Sequence, residues 1–534
     1  MACALSLFAL LPAPAAAASL QPPTVTVEAA NGRVAEDPAQ GGKSRRRRST
    51  PRRRSSASRA AAAPVAALRY TSPHGANALQ NDLSYMVASR VRSGQWGVMV
   101  VSVTRGDTLY SYNADQPMQP ASTMKLFTAA LAFDRLGPQY RFSTDVLREG
   151  TLAPDGTLQG NLIIRGDGDP GFSNRFMPGG ADAPMRELAR RVAAAGVKRV
   201  SGDVIGDATG FEAQKVPDGW LARNLQSGYA ARVSALSINE NLMWVAVYPA
   251  AGKGAARVAI EPSASAAVPL TANVRTVPGS TGAQIRLTRN REGAVTVTGW
   301  IGSRSIPRRY EYVIEDPAIF TTASFRDALR AEGVEVAGAV KLGPTPAAAA
   351  KVASLESQPL EKLAAVMNRE SVNHFAELLF RNAARGPERD TVGTAQRGYT
   401  LLKGFLEQKA GAPQNAVFAA DGSGLSTLDR VTPRAMIKLL AYAHESPWAS
   451  AFHASLPVAG ESELLRHRMK YTPAQGNLHA KTGTTNTVIS LAGYVTAQNG
   501  EVLAFSFVYN GNDRWNAKET IDAMGPTMAG FVRE

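Results

Sequence analysis

Three short patterns in this chain combine side chains able to act together. Ser122-Thr123-Met124-Lys125 sets a hydroxyl three residues before an ammonium, within ASTMKLFTAALAFDRLG at 121–137. Serine is a poor nucleophile at neutral pH and needs a base within hydrogen-bond reach, which an i,i+3 helical spacing supplies. A lysine desolvated against Met124 and Phe127 has a lowered pKa, so its neutral amine can serve as that base. Lys481-Thr482-Gly483-Thr484 lies in HAKTGTT, on a predicted strand. Alternation puts Lys481 and Gly483 on one face, the first a cation for a carboxylate, the second a gap for a substrate backbone alongside. Ser-x-Asn occurs at Ser111–Asn113, Ser237–Asn239 and Ser371–Asn373. The third alone sits amid helical segments, so Ser371 is read as a proton relay and Asn373 as the amide that holds the base and a peptide substrate.

Taken singly, these patterns are weak: a helix cap with a surface lysine, an edge-strand lysine with a turn glycine. The elements around them decide whether they can meet. NALQNDLSYMVA reads as a helix, and QWGVMVVSVTRGDTLYSYNADQP as two alternating strands around a turn. The Ser122 segment follows as a helix with apolar residues at 3–4 spacing and Gly137 as its stop. From about 150 to 311, short strands punctuated by Gly, Asp and Pro predominate, interrupted by one helix, APMRELARRVAAAG. Helices return in PAIFTTASFRDALRAEG, PLEKLAAVMNRESVNHFAELLFRNAARG, AQRGYTLLKGFLEQKAG and TPRAMIKLLAYAHES. Strands NLHAKTGTTN, VISLAGYVTA and EVLAFSFVYNG precede a last helix, KETIDAMGPTMAGFV. Strand–helix material on both sides of β-rich sequence predicts one α/β domain split by an insertion.

The net charge of +15 suggests a polyanion binder until it is mapped. Lys43, Arg45–Arg48, Arg52–Arg54 and Arg59 place nine positive charges in seventeen residues. The densest charge therefore belongs to a Pro-, Ala- and Ser-rich stretch, 19–68, expected to be a disordered basic linker, and the rest of the chain is only mildly basic. Residues 1–18 resemble a secretory signal peptide, with an apolar run at Leu5–Leu11 and cleavage after Ala18. Cys3, the one cysteine of the chain, leaves with it, so the mature protein has no thiol for a disulfide, nucleophile or metal site. No later run reaches the ~18–20 apolar residues of a membrane span. Export places the product in the periplasm, where nucleic acid is not an expected partner. Clustered Arg could hold it near an anionic envelope surface. Asp167 and Asp169 in GDGDP read as a turn, His479 as a packed histidine, and GSGLS at 422–426 as a turn without the spacing of a nucleophile elbow.

Ser-x-x-Lys, Ser-x-Asn and Lys-Thr-Gly, in that order, resemble the penicillin-recognising serine acyltransferases, whose serine is acylated by β-lactams. The 245 residues between Lys125 and Ser371 narrow this to a resemblance to the D-alanyl-D-alanine carboxypeptidase/endopeptidase family, the class C low-molecular-mass penicillin-binding proteins of peptidase family S13. GDGDP (166–170), YAARVSALSINENL (229–242), DGSGLSTLDRVTP (421–433) and LPVAGES (456–462) are similar to that family too. The resemblance runs from about residue 78 to the end.

It implies a penicillin-binding/serine β-lactamase-like transpeptidase domain of α/β (α+β) class, an antiparallel sheet with flanking helices, interrupted by a β-rich insertion of one or two domains. The catalytic domain would occupy 69–149 and 312–534, and the insertion 150–311. The resemblance also implies Ser122 as the acylated residue, Lys125 as base, and Ser371 and Asn373 as relay and positioner. Lys481, Thr482, Gly483 and Thr484 would line the substrate strand, with the N–H groups of Ser122 and Thr484 as oxyanion donors. Peptidoglycan stem peptides would be the substrate, in D-Ala-D-Ala carboxypeptidase and D,D-endopeptidase reactions. β-Lactams would be inhibitors, and neither metal nor organic cofactor is required. Val372 stands where this family often has Asp, and Thr485 where an apolar residue is common. Two other readings use the same residues, a β-lactamase or esterase and a non-catalytic wall-binding protein. The long insertion argues against the first, and intact Ser122, Lys125 and Lys481 against the second.

Overall fold

The computed structural model describes residues 68–290 and 293–534. The expected signal peptide, Cys3 and, but for Leu68, the basic linker lie outside the described residues. Five antiparallel strands form the sheet that organises the two ends of the chain, in the order His479–Thr484, Val488–Thr496, Val502–Asn510, Gln95–Ser102, Thr108–Tyr112. The N-terminal hairpin joins the C-terminal strands through Gln95–Ser102, with Gln95 opposite Asn510 and Ser102 opposite Leu503.

Alternation along these strands separates two cores. Val98, Val100, Leu503, Phe505 and Phe507 pack with Leu79 and Leu83 of the helix Ala76–Ser89 and with Ile521 and Met524 of the helix Arg514–Ala529. Met99, Ala492, Tyr494 and Ala504 face the other way, toward Met124, Phe127, Phe375, Phe380, Leu439 and Leu440. A sheet covered on both faces explains why VISLAGYV and LAFSFVY are almost continuously apolar.

The helix Met124–Leu136 is central to the second core, with every residue from Met124 to Phe133 buried. It packs against the helices Leu360–Arg369 and Asn373–Arg385. Gly137 ends it at φ 80, its N–H donated to the Phe133 carbonyl, a conformation that favours glycine.

A seven-stranded sheet occupies the middle of the chain, with Ser143–Leu152 and Thr157–Arg165 as its main hairpin. Its last strand, Ala350–Glu356, pairs with Ser143–Leu152, so the sheet draws on residues 143–356, a wider span than the 150–311 read from the sequence. The helix Pro317–Ala331, expected in the catalytic domain, packs instead on the helix Ala183–Ala194 and the strand Val204–Asp207. The Ala-rich AAAAKVASLE has weak strand propensity, and its strand exists because a partner edge is available. Residues 248–258 and 269–306 form a separate unit, in which Leu270–Val277 runs parallel to Val295–Gly302, itself antiparallel to Ala283–Arg289. Among the described residues no helix is long and apolar enough to cross a membrane.

Candidate active site

Ser122 lies in the 3-10 turn Ala121–Thr123 that leads into the helix Met124–Leu136, one turn earlier than a residue inside the helix. Ala121 is left-handed at φ 49, a strained conformation for a residue with a Cβ, and surrounding contacts hold it. Thr123 Oγ1 and Ser490 Oγ both donate to the Pro120 carbonyl, at 2.8 and 2.7 Å, tying the turn to the central strand Val488–Thr496.

Lys125 is fully buried. Its Nζ lies 3.1 Å from Ser122 Oγ, 2.6 Å from Asn373 Oδ1 and 2.7 Å from the Ser423 carbonyl oxygen. The last two atoms can only accept hydrogen bonds, whereas a hydroxyl can also donate. Both forms of the side chain fit: an ammonium donates to all three oxygens, and a neutral amine donates to the two carbonyl oxygens and takes the Ser122 hydroxyl proton on its lone pair. Burial brings the Lys125 pKa down to about 8, opposed by the carboxyl groups of Asp421, Glu377 and Asp429.

The Ser371–Asn373 pattern joins the two lysines. Asn373 opens the helix Asn373–Arg385, and its Nδ2 donates to the Tyr229 carbonyl at 2.8 Å, which fixes Oδ1 toward Lys125. Ser371, left-handed at φ 61, accepts a hydrogen bond from Lys481 Nζ at 2.9 Å. Val372 is partly buried and packs against the core that holds the helix Met124–Leu136. Lys481 is buried and also donates to the Thr482 carbonyl at 2.8 Å. Burial, with Lys125 nearby, pushes its pKa well below the usual lysine range.

Thr482 is nearly buried, and Thr484 is exposed where the strand leaves the sheet. Gly483 has a further reason that the sequence does not show. A Cβ there would lie 2.2 Å from Ser490 Oγ, 2.8 Å from the Pro120 carbonyl oxygen and 3.1 Å from the Ser122 amide nitrogen. Its bare Cα lets the Lys481 strand press against the Ser122 turn, so that the serine's amide and the residue after Gly483 come together.

One contributor is not legible as such in the sequence. DGSGLS reads there as a plain turn, yet the Ser423 carbonyl is one of the partners of Lys125. Gly424, at φ 81, lies against the Ala121 carbonyl, where a Cβ would come within 1.9 Å. The available signal is Asp421 heading a run of small residues, an arrangement in which a carboxylate gathers backbone N–H groups.

The other Ser-x-Asn matches have local partners. Asn113 Nδ2 donates to the Trp96 carbonyl, and Asn239 bridges Ala181 and Asn174. Asp167 pairs with Arg385 and Arg389, and Asp169 accepts the Gly171 amide. Among the described residues no group of three or more His, Cys, Asp or Glu side chains could hold a metal.

Comparison with known proteins agrees in family and fold. The chain is 34% identical over 457 residues to a D-alanyl-D-alanine carboxypeptidase from Actinomadura sp. strain R39, covering 82% of this chain and 81% of that one. It is 26% identical to the D-alanyl-D-alanine carboxypeptidase DacB of Haemophilus influenzae, over 83% of this chain and 91% of that protein. The crystal structure of penicillin binding protein 4 (dacB) from H. influenzae superposes with a TM-score of 0.68 at 25% identity, covering 83% of this chain and 97% of that one. The architecture is thus of the penicillin-binding type, mixed α/β with antiparallel sheets and flanking helices. Residues 79–530 match the D-Ala-D-Ala carboxypeptidase 3 (S13) family, and with Ser122, Lys125, Ser371, Asn373 and Lys481 gathered at one place, the chain belongs to that family.

Proposed function

We propose that the protein is a serine-type D-Ala-D-Ala carboxypeptidase acting on peptidoglycan stem peptides, with Ser122 as nucleophile. The observation that carries this is the setting of Lys125 Nζ between two obligate acceptors and the Ser122 hydroxyl. Ser122 Oγ attacks the carbonyl carbon of the D-Ala–D-Ala bond, and its proton passes to Lys125 Nζ. The amide N–H groups of Ser122 and Thr484 receive the negative charge that develops on the carbonyl oxygen; one such donor is worth ~2.7–4 kcal/mol in the transition state. The C–N bond breaks, the leaving amine takes a proton relayed through Ser371, and D-alanine departs. Water then attacks the Ser122 ester, its proton is taken at Lys125 and returned to Ser122 Oγ as the C–O bond breaks, and the shortened peptide leaves.

Lys481 is the anchor for the substrate's terminal carboxylate. Its ammonium is disfavoured by burial and by Lys125, and a bound carboxylate supplies the opposite charge that restores it. The same site would open a D-Ala crosslink to a neighbouring stem peptide, since the acyl half of that bond is identical. β-Lactams would acylate Ser122 and leave slowly.

In this reading residues 1–18 are a signal peptide, the enzyme works in the periplasm, and catalytic segments before residue 143 and after residue 356 flank the insertion. The basic linker would lie on anionic envelope surfaces, each Lys or Arg contributing ~1 kcal/mol beside such a surface. Co-sedimentation with anionic vesicles that does not weaken with salt would remove that last assignment.

The test is incubation with a labelled penicillin followed by peptide mapping, beside release of D-alanine from a D-Ala–D-Ala peptide. Label on Ser122, with neither label nor D-alanine from Ser122→Ala, is the expected result. Label on another residue, or release by Ser122→Ala, overturns the mechanism. Rapid turnover of the penicillin ester would make the protein a β-lactamase instead.

A further inference from the structure

Behind Lys125 the 421–429 segment buries two aspartates that the acylation chemistry above does not use. Asp421 is fully buried and gathers five donors: the Trp220 indole N–H at 2.7 Å, the Ser423, Gly424 and Ser426 amides at 2.9, 2.7 and 2.8 Å, and the Ser423 hydroxyl at 3.1 Å. Donors converging on both oxygens from several sides match a carboxylate, which only accepts. Asp429, equally buried, differs. Its Oδ1 accepts the Ala420 amide at 2.8 Å, while its Oδ2 has no donor. A buried carboxylate oxygen with no donor beside a second carboxylate is satisfied only as a hydroxyl that donates. Burial and the neighbouring Asp421 both push the Asp429 carboxyl well above its usual range. The two aspartates therefore carry one negative charge and one proton between them.

We infer that Asp421 is a positioning residue for the base: as a carboxylate that accepts a hydrogen bond from the Asp429 carboxyl, it folds the 421–426 turn so that the Ser423 carbonyl and a buried negative charge both bear on Lys125 Nζ. The inference rests on the reading of Lys125 as the base. The Ser423 carbonyl occupies one N–H of the amine and Asn373 the other, which aims the lone pair at Ser122. The charge keeps the conjugate ammonium accessible, so that the amine can take the serine proton and later return it. Titratable groups face Lys125 from three elements: Asp421 and Asp429 from this turn, Glu377 from the helix Asn373–Arg385, where Arg381 pairs with it at 2.9 Å, and Lys481 from the sheet. Trp220 ties the turn to the 208–247 segment, which gives that distant stretch a role in setting the base.

The test is the pH dependence of the second-order rate at which a labelled penicillin acylates the full-length enzyme. In the parent the rate rises with pH as Lys125 loses its proton, through about pH 8. Asp421→Asn removes the negative charge, so the ammonium gives up its proton more easily and the rise moves to lower pH, by about one unit or more. The plateau falls by about tenfold or more, because the carbonyl that orients the amine is displaced. Asp429→Asn leaves the midpoint in place, since its amide donates to Asp421 as the carboxyl did and the charge persists. A folded Asp421→Asn enzyme with the parent midpoint overturns the inference. So does an Asp429→Asn enzyme whose midpoint drops, and that variant decides the matter if Asp421→Asn does not fold. A parent profile flat through this range overturns the reading of Lys125 as the base, and this inference with it.

Discussion

Replacing Gly483 by alanine tests whether close packing of the Lys481 strand on the serine turn sets the reaction rate. The added Cβ would sit 2.2 Å from Ser490 Oγ, 2.8 Å from the Pro120 carbonyl oxygen and 3.1 Å from the Ser122 nitrogen, where ordinary contacts begin at 3.4 Å. The Ser490 hydroxyl could rotate away only by giving up its 2.7 Å bond to Pro120. The other two atoms are backbone, so the strand and the turn must separate by roughly half an ångström. Overpacking of this kind costs about 1–3 kcal/mol of stability. The separation falls between the two peptide units expected to supply the oxyanion donors. Since a 1 Å misplacement costs ~10²-fold in rate, acylation should slow by about tenfold to a hundredfold.

Stopped-flow acylation by a chromogenic β-lactam, with thermal unfolding of the same samples, measures both quantities. Ser490→Ala combined with Gly483→Ala should recover only part of the loss, because it removes the nearest obstacle and leaves the two backbone contacts. Acylation of a folded Gly483→Ala enzyme within about threefold of the parent would refute the close-packing account. Full recovery by the double variant would instead trace the effect to the Ser490 hydroxyl alone.

Two further outcomes follow from the buried charges. Arg381→Ala strands the fully buried Glu377 without its 2.9 Å guanidinium partner and also frees Glu212, so urea unfolding should show a loss of about 3–5 kcal/mol; a loss below ~1 kcal/mol would mean that Glu377 simply takes up a proton. His374 is buried beside Asn241, and burial brings its pKa down to about 3, so the folded protein refuses a proton that the unfolded chain accepts near pH 6.5. Its contribution is complete above pH 6.5 and is lost as pH falls, at about 1.4 kcal/mol per unit. Glu377 and Asp169, raised to about 7 by burial, act in the opposite sense, so the comparison is parent against His374→Gln across pH 7 to 4.5. The stability gap should narrow steadily toward acid pH; a constant gap would rule out titration of His374.

The strands of the catalytic sheet and the Ser122 segment were legible because their apolar periodicity is local. The strand Ala350–Glu356 was not, since an alanine-rich stretch becomes a strand only when Ser143–Leu152 offers its edge. The same limit moved the helix Pro317–Ala331 from the catalytic segments to the middle sheet, because its type is written in its periodicity and its partner is not.

At the site, the sequence alone determined which chemistry was on offer: a serine three residues from a lysine, a Ser-x-Asn, and a Lys-Thr-Gly, in an order that points to acyl transfer. Residue type and short spacing are covalent facts and survive without a fold. Tertiary structure decided what those groups do to one another. Only folding places Asn373, 248 positions from Lys125, on its amine, and Ser371 on Lys481. Only folding shows Gly483 to be a point of close approach between strand and serine turn, and turns DGSGLS from a loop into the floor beneath the base. Burial makes the difference. Desolvation lowers the lysine's proton affinity and makes each buried charge felt at its neighbours, and burial depends on residues far apart in the chain.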